Sequence, residues 1–204
     1  MTITKTRSPI GADHARAAGE AWGQLPRGAN GRLPLDLAKS KGWGRGWLRF
    51  ETILIGGPYR ACPDDMPGVC LLEVVPEVRA VSRTPNTAVD QACAVHLPIE
   101  DFNVPDDPAA VTLALQQTLR LMIAGETVYV GCAGGWGRTG LFLSLLAKVA
   151  GEPDPVGYVR RHYTPRAVET ARQQQFIDRF DPAPLQRWLF WPLLWRRLWA
   201  FVGR

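Results

Sequence analysis

The ten residues Gly131 to Gly140, GCAGGWGRTG, constrain this chain more than any other stretch. The apolar run Val128-Tyr129-Val130 leads into them, and an apolar helical pattern, Leu141 to Val149, leads out. An apolar run without alternation suits a central strand buried on both sides. The stretch is therefore a strand–loop–helix junction. Its loop lies beyond the C-terminal end of a buried strand, where open α/β sheets bind ligands. Glycines at 134, 135 and 137 let successive backbone N–H groups turn inward as a nest for an anion. The helix that follows presents its positive N-terminal end to the same point. Arg138 adds a planar fork that matches two phosphate oxygens.

Cys132 stands at the rim of that nest. Helix N-termini and cationic neighbours favour the nucleophilic thiolate form of a cysteine. The natural reaction is in-line attack on phosphorus, giving a cysteinyl phosphate that water then hydrolyses. The Thr139 hydroxyl is placed to hydrogen-bond the sulfur and stabilise it as it leaves. A nucleotide-binding P-loop needs GxxxxGK followed by Ser or Thr, and the lysine is missing here. A papain-like Cys–His pair has only His14, His96 and His162 to draw on, without that family's context. The plain alternative is a buried cysteine in a glycine-rich turn.

The rest of the chain reads as alternating strands and helices. Strands are expected within Leu48–Ile55, ended by Gly56-Gly57-Pro58, and over Val69–Val75, Ala92–Ile99 and Thr127–Val130. Asp107 caps and Pro108 opens a helix that Gly125 closes, with Val111, Leu115, Leu119 and Met122 on one face. Further helices are expected after the central loop to Ala150, over Pro155–Tyr163 and over Ala167–Phe180. This order predicts an α/β fold whose central sheet is mostly parallel, with helices on both faces. Residues 1–46 read as an N-terminal arm with one short helix, Asp13 to Trp22. Residues 47–182 read as the compact domain, and 183–204 as a Trp/Arg-rich C-terminal helix.

At this point the residues resemble a known family. CAGGWGRTG is similar to the CX5R(S/T)G signature of the cysteine-based protein tyrosine and dual-specificity phosphatases, in its compact form. The resemblance implies that Cys132 is the nucleophile and Arg138 the phosphate clamp. It makes Ala133, Gly134, Gly135, Trp136 and Gly137 the backbone cradle, and Thr139 the group that assists thiolate release. Upstream, HLPIEDFNVP, His96 to Pro105, resembles the loop that carries the family's general acid, which puts Asp101 in that role. Glu100, Asp106 and Asp107 compete for it. Downstream, PRAVETARQQQFI, Pro165 to Ile177, resembles the segment with a water-positioning glutamine, which puts Gln173 there, with Gln174 and Gln175 close by. Arg166 either touches substrate or pairs with an acid. The resemblance covers roughly Leu48 to Phe180. It departs in one place: the family has a histidine before the nucleophile, and Gly131 stands here, which predicts a less reactive thiol. Trp136 is expected either as a pocket wall or, preferably, as an anchor for the loop.

The family resemblance implies a phosphoprotein substrate, phosphotyrosine first, and no cofactor or metal. Lysines in the cradle, common in phosphoinositide phosphatases, are absent at Ala133, Gly134 and Trp136. The alternatives are a module that binds a phosphorylated partner with little turnover, an RNA 5′-triphosphatase or a phospholipid phosphatase. A formal net charge of +5 favours anionic partners without choosing among them. The basic stretch Lys39 to Arg49, with Trp43 and Trp47, is the only specific support for nucleic acid. The four cysteines, 62, 70, 93 and 132, form no CxxC pair, and no secretory signal opens the chain, so a reduced cytoplasmic protein is expected. Of eight tryptophans, those at 188, 191, 195 and 199 lie in the tail. Two adjacent arginines, at about 2.5–3.5 kcal/mol each on insertion scales, argue against a membrane span there. An interfacial helix on an anionic membrane surface, or a helix packed on the domain or on a second subunit, are the readings of residues 185–204.

Overall fold

The computed structural model describes residues 31–39, 49–63, 66–73 and 93–202. The strands are β1 (Arg32–Asp36), β2 (Glu51–Pro58), β3 (Gly68–Cys70), β4 (Cys93–His96) and β5 (Val128–Cys132). They form one five-stranded sheet in the order β1-β2-β5-β3-β4. β2, β5, β3 and β4 run parallel, and β1 pairs antiparallel with β2. The helices among the described residues are α1 (Pro108–Ala124), α2 (Gly137–Ala150), α3 (Pro155–His162), α4 (Ala171–Arg179) and α5 (Ala183–Val202). The expected mostly parallel α/β sheet is therefore present.

β5 lies at the centre because every one of its residues is buried. The non-alternating Val128-Tyr129-Val130 run has apolar neighbours on both sides, as the sequence predicts. α1 packs on β4 and β5, and α2 on β5, β1 and β2. Asp107 Oδ1 accepts the Ala109 N–H at 2.8 Å, Pro108 opens α1, and Gly125, at φ +96°, ends it. Val111, Leu115, Leu119 and Met122 form the buried face of α1. In α2 every residue but Lys148 is buried. A helix apolar all round belongs in a core, which is where α2 sits.

Beyond a β3 that ends at Cys70 rather than Val75, a β4 that ends at His96 rather than Ile99 and a β5 that runs on from Val130 to Cys132, three boundaries differ from the sequence reading. Residues 32–36, assigned to the arm before Trp47, form β1 instead. Their burial alternates, with Leu33 and Leu35 inward and Pro34 exposed. Pro34 is tolerated because β1 is an edge strand. The Tyr158 hydroxyl donates to the Pro34 carbonyl at 2.7 Å. Second, β2 does not stop at Ile55 but runs through Gly56 and Gly57 to Pro58, in register with Val130, Gly131 and Cys132. A side chain at Gly56 would collide with the Tyr163 ring, so the glycine marks close packing rather than a chain break. Third, α4 starts at Ala171 rather than Ala167, because Thr170 caps it. The expected helix from Asp13 to Trp22, and Trp43 and Trp47, lie outside the described residues.

The tail does form a helix, and one face of it is spent on the domain. Leu185, Leu189 and Leu193 are buried, and α5 packs against both α1 and α2. The Gln186 side chain donates to the carbonyls of Lys148 and Val149 at the C-terminal end of α2.

Candidate active site

The site is built where β5 ends and α2 begins. Gly135 sits at φ +79°, a conformation that favours glycine, and its N–H points back at the Cys132 sulfur, 3.2 Å away. Cys132 itself is buried. The loop is held from behind by Tyr163, just past the end of α3, whose buried hydroxyl donates to the Gly135 carbonyl. Burial pushes the Tyr163 phenol well above its ordinary pKa, so it stays a donor.

Gly131, the departure from the family pattern, has a structural cause. A Cβ there would lie 2.7 Å from the Cα of Tyr59 and 3.0 Å from the Gly57 carbonyl oxygen. The backbone after β2 has moved in against β5. No histidine fits beside it in this backbone arrangement.

Arg138 is the largest fully buried side chain, at 1% exposure. It leaves the first turn of α2 and reaches the loop after β4. Nη1 donates to the Ile99 carbonyl at 2.8 Å, and Nη2 lies 3.1 Å from Asp101 Oδ1. The guanidinium thus ties the predicted acid to the predicted phosphate loop. Asp101 remains 54% exposed on its side chain. Two of its rivals have other tasks: Glu100 accepts from the Asn103 amide at 2.9 Å, and Asp107 caps α1.

The acid loop is also pinned to α4. Phe102, which follows Asp101, holds a left-handed backbone at φ +58°, uncommon outside glycine. Its carbonyl accepts from the Thr170 hydroxyl at 3.3 Å. Gln173 is fully buried, and its Nε2 donates to the Asn103 carbonyl at 3.2 Å. Its Oε1 accepts the Glu169 N–H at 2.9 Å and closes a capping box with Thr170. Gln173 therefore reaches the neighbourhood of Gly137, but its carboxamide is engaged at both ends.

Thr139 is fully buried, and its hydroxyl has no hydrogen-bond partner among the described residues. The expected bond to the sulfur is not made here. Of the cradle residues, Gly135 and Gly137 are buried, Ala133 is half-buried and Gly134 is exposed. Trp136 is 37% exposed, with the Arg166 guanidinium stacked 4.7 Å over its ring. Such stacking is attractive because the cation faces the ring's negative π-cloud. Trp136 and Arg166 are therefore in contact with each other.

One group at the site had no role assigned from sequence. The Glu169 carboxylate lies against Gly137 and accepts its backbone N–H. Partial burial raises its pKa, the Asp101 charge adds to the rise, and the Gly137 N–H, Arg138 and Arg166 oppose it. Its only sequence signal was membership of the Ala167-Val168-Glu169-Thr170 run. Beyond the site, Cys70 pairs in register with Gly131, and its thiol meets that of Cys93. That contact holds Cys93 below its ordinary pKa and pushes Cys70 up.

No protein-family model matches the chain. An uncharacterized protein of Methanocaldococcus jannaschii is 36% identical over 83 residues, covering 41% of this chain and 56% of that protein. A second from the same organism is 35% identical over 86 residues, covering 41% of this chain and 52% of that one. The matches thus span about half the length of these curated relatives. Among solved structures, a kinase associated phosphatase with its catalytic-site cysteine replaced by serine aligns with a TM-score of 0.52 and 16% identity. That alignment covers 72% of this chain and 90% of the other. The Tk-PTP structure in its active form aligns with a TM-score of 0.47 and 22% identity, over 63% of this chain and 92% of that one. The fold is that of the dual-specificity-like phosphatases.

Proposed function

We propose that the chain is a cysteine-dependent phosphomonoesterase that removes phosphate from proteins, phosphotyrosine first and phosphoserine or phosphothreonine second. One observation carries this reading. A single buried guanidinium, Arg138, from the helix that follows the loop whose Gly135 N–H faces Cys132, reaches the Asp101 carboxylate 3.1 Å away. This contact supports reading Cys132, Arg138 and Asp101 as nucleophile, clamp and acid of one site.

In the proposed cycle, the substrate phosphate enters the nest and its oxygens replace Asp101 on the Arg138 fork. The released Asp101 takes up a proton from solvent and moves to the leaving oxygen. Cys132 Sγ attacks phosphorus in line as the P–O ester bond breaks, and protonated Asp101 gives its proton to the departing phenoxide or alkoxide. Water then attacks phosphorus, the P–S bond breaks, and Asp101 takes the water's proton back. The Thr139 hydroxyl, buried without a partner, is suited to stabilise the sulfur as it leaves. Gln173 and Glu169 are the groups beside Gly137 that bear on the attacking water. Gln173 orders the loop through Asn103, and Glu169 is the freer of the two to accept from the water.

The reading is tested by phosphate release from matched phosphotyrosine and phosphoserine peptides and from phosphoinositide micelles. Fastest turnover of the phosphotyrosine peptide is expected. Preference for phosphoinositide would replace the phosphoprotein assignment, and no turnover of any substrate would favour a phospho-partner binding module.

A further inference from the structure

The face of α5 turned away from the domain carries features that the catalytic site does not use. Trp191, Trp195 and Leu198 recur at helical spacing and are 62%, 58% and 48% exposed. The opposite stripe, Leu185, Leu189 and Leu193, is buried on α1 and α2. Large apolar side chains scattered singly on a surface are ordinary, but two indoles and a leucine on one stripe form a patch.

The formal charges in the sequence of this segment are of one sign. Residues 182–204 contain Arg187, Arg196, Arg197 and Arg204 and no aspartate or glutamate. Two of the helix's side chains bind it to the domain through cation–π contacts. The Arg196 guanidinium lies 5.0 Å over the Phe50 ring, and Arg120 of α1 lies 5.7 Å over Trp188. The helix is thus fixed at its base, and Trp191 and Trp195 face outward.

Tryptophan prefers the headgroup level of a bilayer, where its ring is buried and its N–H stays wet. Arginine beside it meets lipid phosphate, and each basic residue near an anionic leaflet contributes about 1 kcal/mol. No helix among the described residues is long and apolar enough to cross a membrane, so α5 would lie on the surface and not span it.

We infer that the Trp191–Trp195–Leu198 face of α5 docks the protein on an anionic lipid surface. The position of α5 sets the orientation. Gln186 binds the C-terminal end of α2, while Cys132 and the Gly135 nest lie at its N-terminal end. Arg196 packs on Phe50, just before β2, at the end of the sheet opposite Cys132. A helix of 14 residues is about 21 Å long. A bilayer under α5 therefore leaves the catalytic loop on the far side, open to water-borne phosphoproteins rather than to headgroups of the same membrane.

The experiment is flotation of the full chain with vesicles of phosphatidylcholine alone, and with vesicles of equimolar phosphatidylserine and phosphatidylcholine. Sedimentation of the free protein runs alongside. Binding to the anionic vesicles, weakened by salt, is expected. Trp191→Ala with Trp195→Ala should reduce partition roughly tenfold or more while p-nitrophenyl phosphate turnover is unchanged. Equal binding to neutral vesicles, no binding to either, or undiminished binding of the double variant would overturn the inference. So would a dimer that the double variant dissolves, since the face would then belong to a second copy of the chain.

Discussion

At the scale of single residues, Gly131 explains more than it first suggests. From sequence it is a missing histidine beside the nucleophile, and a reason to expect a less reactive thiol. In the fold it is the point where the Tyr59 backbone comes within 2.7 Å of a would-be Cβ. The glycine and the path of the chain after β2 are one feature. Restoring the family's residue should therefore harm the protein. Gly131→His is expected to cost at least about 1–3 kcal/mol of stability through overpacking, read by urea denaturation, and to lower phosphatase turnover. A stable variant with faster turnover would show that the backbone contact does not govern this position. The same scale marks what a sequence conceals. The Arg138–Asp101 contact was foreshadowed in the sequence, because the expected phosphate chemistry asks for an acid upstream of the loop and a guanidinium at its end. Glu169 was not, because a glutamate in a polar run has no signature until the fold sets it on the Gly137 N–H.

At the scale of elements, the sequence was most legible where local chemistry and burial agree. Asp107, Pro108 and Gly125 bound α1 as expected, since a cap, a fixed φ and a left-handed terminus act within a few residues. β1 was hidden because its Leu33–Leu35 alternation is short and flanked by prolines and glycines. Only pairing with β2 makes it a strand. Gly56 misled for a related reason: it admits the Tyr163 ring, which is distant in sequence. For α5, its tryptophan periodicity was visible, but not which stripe the domain would take. The buried stripe proves to be leucine. Leu189 is fully buried, so Leu189→Ala is expected to cost about 2–5 kcal/mol in equilibrium unfolding. A loss below about 0.5 kcal/mol, the range of surface substitutions, would mean that α5 is not docked on α1 and α2.

For the whole molecule, the sheet divides the chain into an end that carries the candidate site and a base. Parallel strands deliver Pro58, Cys70, His96 and Cys132 toward the same end, and the loops that follow β4 and β5 carry Asp101 and Gly135. α3 and α4 brace those loops from one flank, through Tyr163 on Gly135 and Gln173 on Asn103. α5 closes the other end of α2. The central claim is that this arrangement passes phosphate through Cys132. The most direct measurement is rapid acid quenching of the enzyme turning over a phosphotyrosine peptide, followed by peptide mapping by mass spectrometry. Phosphate on the sulfur of Cys132 is expected, together with loss of turnover in Cys132→Ala. Phosphate release that persists in Cys132→Ala, with no phosphocysteine in the quenched protein, would contradict the account.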